Sequence, residues 1–181
     1  VQTCALPICA ELELGRQVGY LTLGDSMTYS TYSYLITALR EIYPQLQHRT
    51  YAGITSFAAI AAHFDWPLGE GKERVLLLPC PEEMPALRTD ILTHDLVVLM
   101  KIGRRLPQVL VLLEELGITE NCVFAQRLGF SEERTSCGLA DLPRDAETGY
   151  LSTMLIRREA HQPRHQMPTR LIGETLSEAT G

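Results

Sequence analysis

Residues 18–23, VGYLTL, form a short apolar run that predicts a buried strand. Over residues 29–42 the apolar side chains Tyr32, Leu35, Ile36, Leu39 and Ile42 recur at helical spacing, which predicts an amphipathic helix ending before Pro44. Residues 48–52 predict a short strand. Residues 55–63, TSFAAIAAH, are small and apolar nearly all round, the pattern of a buried helix capped by Thr55 or Ser56. The Pro- and Gly-rich stretch 65–72, DWPLGEGK, breaks this pattern and is the candidate linker.

A second alternation follows. Residues 74–78 (RVLLL) predict a strand, and residues 81–93 a helix with Met84, Leu87, Ile91 and Leu92 on one side. Residues 96–100, LVVLM, are apolar throughout, as expected for a strand buried on both faces in a parallel sheet. Residues 106–116 predict a helix closed by Gly117. Residues 121–127 and 134–137 read as strands. Residues 150–157, YLSTMLIR, predict a last strand with Leu151, Thr153, Leu155 and Arg157 on one face. From residue 159 the chain is polar and a disordered tail is expected. Alternating strands and helices make the class α/β. The expected organisation is an incomplete first domain over residues 9–66 and a second α/β domain over 67–158.

Composition narrows the function. The chain has 181 residues, is 45% apolar and carries a formal charge of -6. No basic face suggests a nucleic-acid partner, no run is long enough to span a membrane, and no secretory leader is evident, so a cytoplasmic protein is expected. The five cysteines, Cys4, Cys9, Cys80, Cys122 and Cys137, are scattered and lack CxxC spacing, which argues against a disulfide framework or a zinc site. His161 and His165 are four apart, but Pro163 between them disfavours a helical metal pair; no metal is expected. Residues 2–8, QTCALPI, resemble one translated frame of a common sequencing adapter. Residues 1–8 are therefore expected to be foreign to the protein, the alternative being an ordinary N-terminus.

The candidate chemistry lies at strand ends. After the first apolar run come Gly24 and Asp25, then the hydroxyls of Ser26, Thr28, Tyr29, Ser30 and Thr31. In an open α/β sheet the ligand crevice lies beyond the carboxyl ends of the strands. A phosphate site would require a lysine-bearing glycine loop and would be repelled by the acid. An acid with hydroxyls suits a ligand carrying ribose hydroxyls, amines or a positive centre, and S-adenosylmethionine has all three. The competing reading is that Asp25 and Ser26 only cap a helix, and the residues alone leave the two level. Similar junctions recur at Gly53–Ser56, at Met100–Gly103 and at Gln126–Gly129. Lys101 and Arg127 follow strand ends and are candidates for holding anionic substituents of a substrate, or else are structural cations.

Four segments carry a resemblance. TLGDSMTYSTYSYL is similar to the TLGDPxxYSTYxYL segment of the tetrapyrrole (corrin/porphyrin) methylases, in the form found in C20 methyltransferases of the cobalamin pathway. AGITSFAAIAA resembles the family's PGITSFxAxAA, VVLMKIGR its VVLMK, and YLSTMLIRR its YLSTxxVxR. Together they cover about residues 18–158.

The resemblance implies a two-domain α/β fold with S-adenosylmethionine between the domains, and a homodimer. It implies methyl transfer to C20 of precorrin-2 or of its cobalt counterpart, cobalt-factor II. Carried over by position, it places cofactor contacts at Leu23, Gly24, Asp25, Thr28, Thr55, Ser56, Met100 and Gly129, with Tyr29, Ser30 and Thr31 near the same ligand. A general base to remove the proton at the methylated carbon is expected, and the sequence does not identify it. Another tetrapyrrole methylase, or a folded fragment without activity, are the alternatives. Ser26 and Ala52 stand where the family has proline, and the glycine-rich VGxGPGDxxLLT segment that opens family members is not found.

Overall fold

The computed structural model describes residues 2–145 and 147–160. The expected tail and the His161–His165 pair lie outside them.

Residues 75–157 build a five-stranded sheet of order β1-β2-β5-β3-β4. Its strands are β1 (Val75–Pro79), β2 (Leu96–Met100), β3 (Cys122–Gln126), β4 (Arg134–Cys137) and β5 (Ser152–Arg157). β1 and β2 run parallel, as their helical crossover requires. β5 inserts antiparallel between β2 and β3, so Met100 and Ala125 both pair with Thr153. β2 is buried along its whole length, but its neighbours make the sheet mixed rather than purely parallel.

Each face of the sheet carries its own core. Helices α4 (Met84–Thr93) and α5 (Leu106–Glu115) cover one face. There Leu87, Ile91, Leu106 and Leu113 meet Val97, Leu99, Phe124, Met154 and Ile156. α3 (Ser56–His63) covers the other, packing Ile60 and the nearby Trp66 on Val98, Val123 and Leu155. Strand parity accounts for the division: Leu155 faces α3, whereas Met154 and Ile156 face α5. Thr153 and Arg157 share the α3 face with Leu155, as the sequence pattern required. Leu151 precedes the strand instead, with φ +51°.

The Pro- and Gly-rich stretch after α3 is packed down. Arg157, only 3% exposed, donates to Pro67 O at 2.7 Å and to Glu73 at 2.8 Å, and its guanidinium lies over the Trp66 ring.

The first part of the chain departs most from expectation. Among the described residues no strand precedes Val75. Residues 18–23 and 48–52 belong to no strand or helix, and Leu21 is 94% exposed. An apolar run becomes a strand only where a neighbour supplies the ladder, and none does here. The helix expected from residue 29 starts at Tyr32, as α2 (Tyr32–Ile42). It pairs with α1 (Gln2–Glu13) around Ala5, Cys9, Leu35, Ala38 and Leu39. The helix expected from residue 81 starts at Met84, where Pro85 fits the first turn.

Candidate active-site crevice

The loop after residue 23 is organised by Asp25. Its Oδ1 accepts the Met27 amide at 2.9 Å and the Thr28 hydroxyl at 3.0 Å. Its Oδ2 accepts the amide of Gly53, 28 residues away, at 2.9 Å. These hydrogen bonds, with Gly53 first, hold the carboxyl below its ordinary range, so it is ionised at neutral pH. Asp25 therefore ties two loops together. It does not cap α2, one of the two roles expected for it. Ser26 and Thr28 do not cap α2 either. Ser30 does this locally, with Oγ accepting the Tyr32 amide at 3.2 Å, while Thr31 occupies the cap position without a side-chain bond.

Two glycines make the tie possible. Gly24 has φ +72°, a conformation costly for any side chain. Gly53 lies so close that a Cβ on it would sit 2.4 Å from Gly24 O and 3.2 Å from Asp25 Cα. Backbone meets backbone here, so no rotamer change can relieve the clash. Tyr32 and Thr50 extend the zipper with a hydroxyl pair at 3.1 Å. The amides of Gly24 and Ile54 find no partner among the described residues, and Leu23, Met27 and Ile54 are exposed beside them.

The second wall is the end of the sheet. β2 and β3 both run antiparallel to β5, so they finish at the same end. Lys101 follows β2 with φ +52°, Arg127 follows β3 with φ +50°, and Leu151 leads into β5 with φ +51°. Three non-glycine residues in the left-handed region at one sheet end are unusual, and such strain gathers at functional sites. The Arg127 amide donates to Leu151 O at 3.0 Å, which holds that edge. Gly129 lies just beyond, its amide bound to Glu133 at 2.7 Å. Met100, at the end of β2, is buried.

α3 joins the two walls. Thr55 caps it, its hydroxyl accepting the Ala58 amide at 3.3 Å, as expected. Ser56 Oγ accepts from Thr153 Oγ1 at 2.9 Å, which anchors the helix start against Met100 and Ala125. Tyr29, itself at φ +50°, reaches across to Lys101, whose Nζ lies 5.8 Å from its ring centroid. The structure thus links the Asp25 loop, the Gly53 loop, the start of α3 and the sheet end. Leu23, Ser30 and Thr31 lie on the first loop, and among the described residues none of them hydrogen-bonds to the sheet.

The sequence reading did not assign Gly53 or Thr153 to the site. The first was legible as the glycine of AGITS, the second as the residue that strand parity placed toward α3. A separate groove of about 630 Å³ lies between α4 and α5, lined by Glu83, Met84, Arg88, Val111 and Glu115. It shares no residue with the crevice.

Comparison with known proteins fixes the family. The family described as Tetrapyrrole (Corrin/Porphyrin) Methylases matches residues 3–143. The chain belongs to the tetrapyrrole methylases. It is 31% identical over 160 residues to the cobalt-precorrin-2 C(20)-methyltransferase of Salmonella typhimurium, covering 86% of this chain and 64% of that one. It is 28% identical over 149 residues to the precorrin-2 C(20)-methyltransferase of a Sinorhizobium species, covering 82% and 59%. The chain thus spans about three-fifths of the length of these relatives.

Among solved structures, a cobalt precorrin-4 methyltransferase superposes with a TM-score of 0.66 at 17% identity, over 85% of this chain and 69% of that one. The uroporphyrin-III C-methyl transferase of Thermus thermophilus, solved with S-adenosylhomocysteine, superposes with a TM-score of 0.57 at 16% identity, over 84% and 71%. At these identities the superpositions establish the α/β tetrapyrrole-methylase fold.

Proposed function

We propose that this tetrapyrrole methylase chain serves S-adenosylmethionine-dependent methyl transfer to C20 of precorrin-2 or cobalt-factor II, in the making of cobalamin. The observation that carries the reading is the identity, over most of the chain, to relatives named for that reaction. The local chemistry fits a methyl donor of that kind. Unpartnered amides at Gly24 and Ile54 and exposed apolar side chains at Leu23 and Ile54 suit a nucleoside held largely through backbone atoms. When bound, the sulfonium supplies an already activated methyl group.

The residues of the chain then have positioning to do. The Asp25–Gly53 tie sets the separation of the two loops, and the Ser56–Thr153 bond joins the start of α3 to β5. Such rigidity is what keeps donor and acceptor carbons about 3–3.5 Å apart and in line. Within this reading Leu23, Gly24, Thr28, Ser30, Thr31, Thr55, Ser56, Met100 and Gly129 border the cofactor. Asp25 acts by shaping the loops, while Lys101 and Arg127 meet the acidic substituents of the tetrapyrrole. Action in the cytoplasm and as a homodimer belong to the same proposal.

The test is a methylation assay with S-adenosylmethionine, offering precorrin-2 and its cobalt form separately. A single methyl added at C20 of either supports the reading. Methylation at another ring position, or of uroporphyrinogen instead, overturns it.

A further inference from the structure

The end of the sheet carries two cations with no acid to neutralise them. Among the described residues no carboxylate forms an ion pair with Lys101 or Arg127. Arg127 Nε is buried without a hydrogen-bond partner. Both residues hold left-handed backbones at the ends of β2 and β3. β5 lies between those strands, so the backbones that carry the two cations are two strand spacings apart, about 10 Å. That separation suits two acidic side chains on one flat molecule.

Lys101 differs from Arg127 in having its ammonium already placed. A free lysine side chain loses rotamer entropy when a ligand orders it. Here the Tyr29 ring lies with its centroid 5.8 Å from Nζ, and Tyr29 itself holds a left-handed backbone. The ring occupies one side of the ammonium. Its N–H donors on the other sides stay available to a carboxylate.

We propose that Tyr29 is a positioning residue for substrate rather than a cofactor contact: it holds Lys101 ready, alongside Arg127, to receive carboxylates of the tetrapyrrole. This inference rests on reading the crevice as a methylase site.

The test uses the chain as it stands, with uroporphyrin III as a carboxylate-bearing tetrapyrrole probe followed by fluorescence, and S-adenosylhomocysteine followed by calorimetry. Tyr29→Asn removes the ring while suiting a left-handed backbone, so the loop is kept. It is expected to weaken uroporphyrin binding about two- to fivefold. Tyr29→Phe should bind as the unaltered chain does. Lys101→Met should weaken binding about tenfold, through a lost charge-assisted bond. Adding Tyr29→Asn to Lys101→Met should then cost nothing more. Affinity for S-adenosylhomocysteine should stay constant throughout. Additive losses in the double variant, an unchanged porphyrin affinity in Tyr29→Asn, or a loss of S-adenosylhomocysteine affinity instead would overturn the proposal. Binding of S-adenosylhomocysteine without uroporphyrin by the unaltered chain overturns this inference alone. Binding of neither removes the methylase reading beneath it.

Discussion

The amide of Gly53 donates to Asp25 Oδ2 at 2.9 Å, and the Gly24–Asp25 backbone fills the space a Cβ on Gly53 would need. One carboxylate and one missing side chain thus hold together two loops 28 residues apart. Asp25→Asn separates the parts of this tie. An amide oxygen in the Oδ1 place still serves Met27 and Thr28, but an NH2 then faces the Gly53 N–H, and two donors cannot pair. The variant should keep the local turn and release the loop that contains Gly53. Trypsin cleavage after the exposed Arg49 should become faster at neutral pH; an unchanged rate would show that the tie contributes nothing.

The same carboxylate predicts a pH dependence. Its folded pKa lies below the ordinary 3.8, so the tie is fully formed above that value and is lost as pH falls through the lower folded value. The Gly53 amide resonance should titrate with a midpoint below 3.8. A midpoint at or above it contradicts the hydrogen-bond geometry.

Gly53→Ala places a methyl group 2.4 Å from Gly24 O. The loops must part, at a cost of about 1–3 kcal/mol, as for other overpacked sites. Chemical denaturation should show this loss, whereas Gly71→Ala, where a Cβ meets nothing within 4 Å, should cost only the strain of its left-handed backbone, about 1 kcal/mol.

Arg157→Met leaves Glu73 without its partner and Pro67 O without its donor. A stability loss of about 2–3 kcal/mol is expected, less than for a fully buried pair because Glu73 keeps some contact with water. The hydrogen bond from Arg157 holds the Glu73 carboxyl below its usual 4.5. The contribution is therefore present above pH 4.5 and fades as pH falls through the folded value. The gap between variant and parent in denaturation midpoints should narrow in acid; a constant gap would assign the effect to packing on Trp66.

Thr153→Val keeps shape but removes the bond to Ser56. A loss of about 0.5–1 kcal/mol is expected, small because Ser56 can turn to water. A larger loss would mean that α3 depends on this bond for its place on the sheet.

The sequence made most of the sheet legible, because residues 96–100 form an unbroken apolar run and residues 150–157 alternate in a way that fits a strand. The capping of α3 by Thr55 was equally plain, since it is settled within one turn. What pairing decides was not legible. Residues 18–23 and 48–52 have strand composition but lie without a ladder, and the insertion of β5 between β2 and β3 depends on contacts far apart in sequence. Asp25 shows the same limit within the site. Its neighbours suggested a cap or a ligand acceptor; Gly53 was visible as the glycine of AGITS, but its pairing with Asp25, 28 residues away, follows from no local pattern.

The central claim is that the loops held by Asp25 and Gly53, with the sheet end beyond them, form an S-adenosylmethionine crevice. Calorimetric titration of the chain and of its Gly53→Ala variant with S-adenosylhomocysteine tests this most directly. The account predicts saturable binding of one ligand per chain, weakened about tenfold or more when the loops are forced apart. Absence of binding to the unaltered chain, or equal affinity in the two proteins, would contradict it.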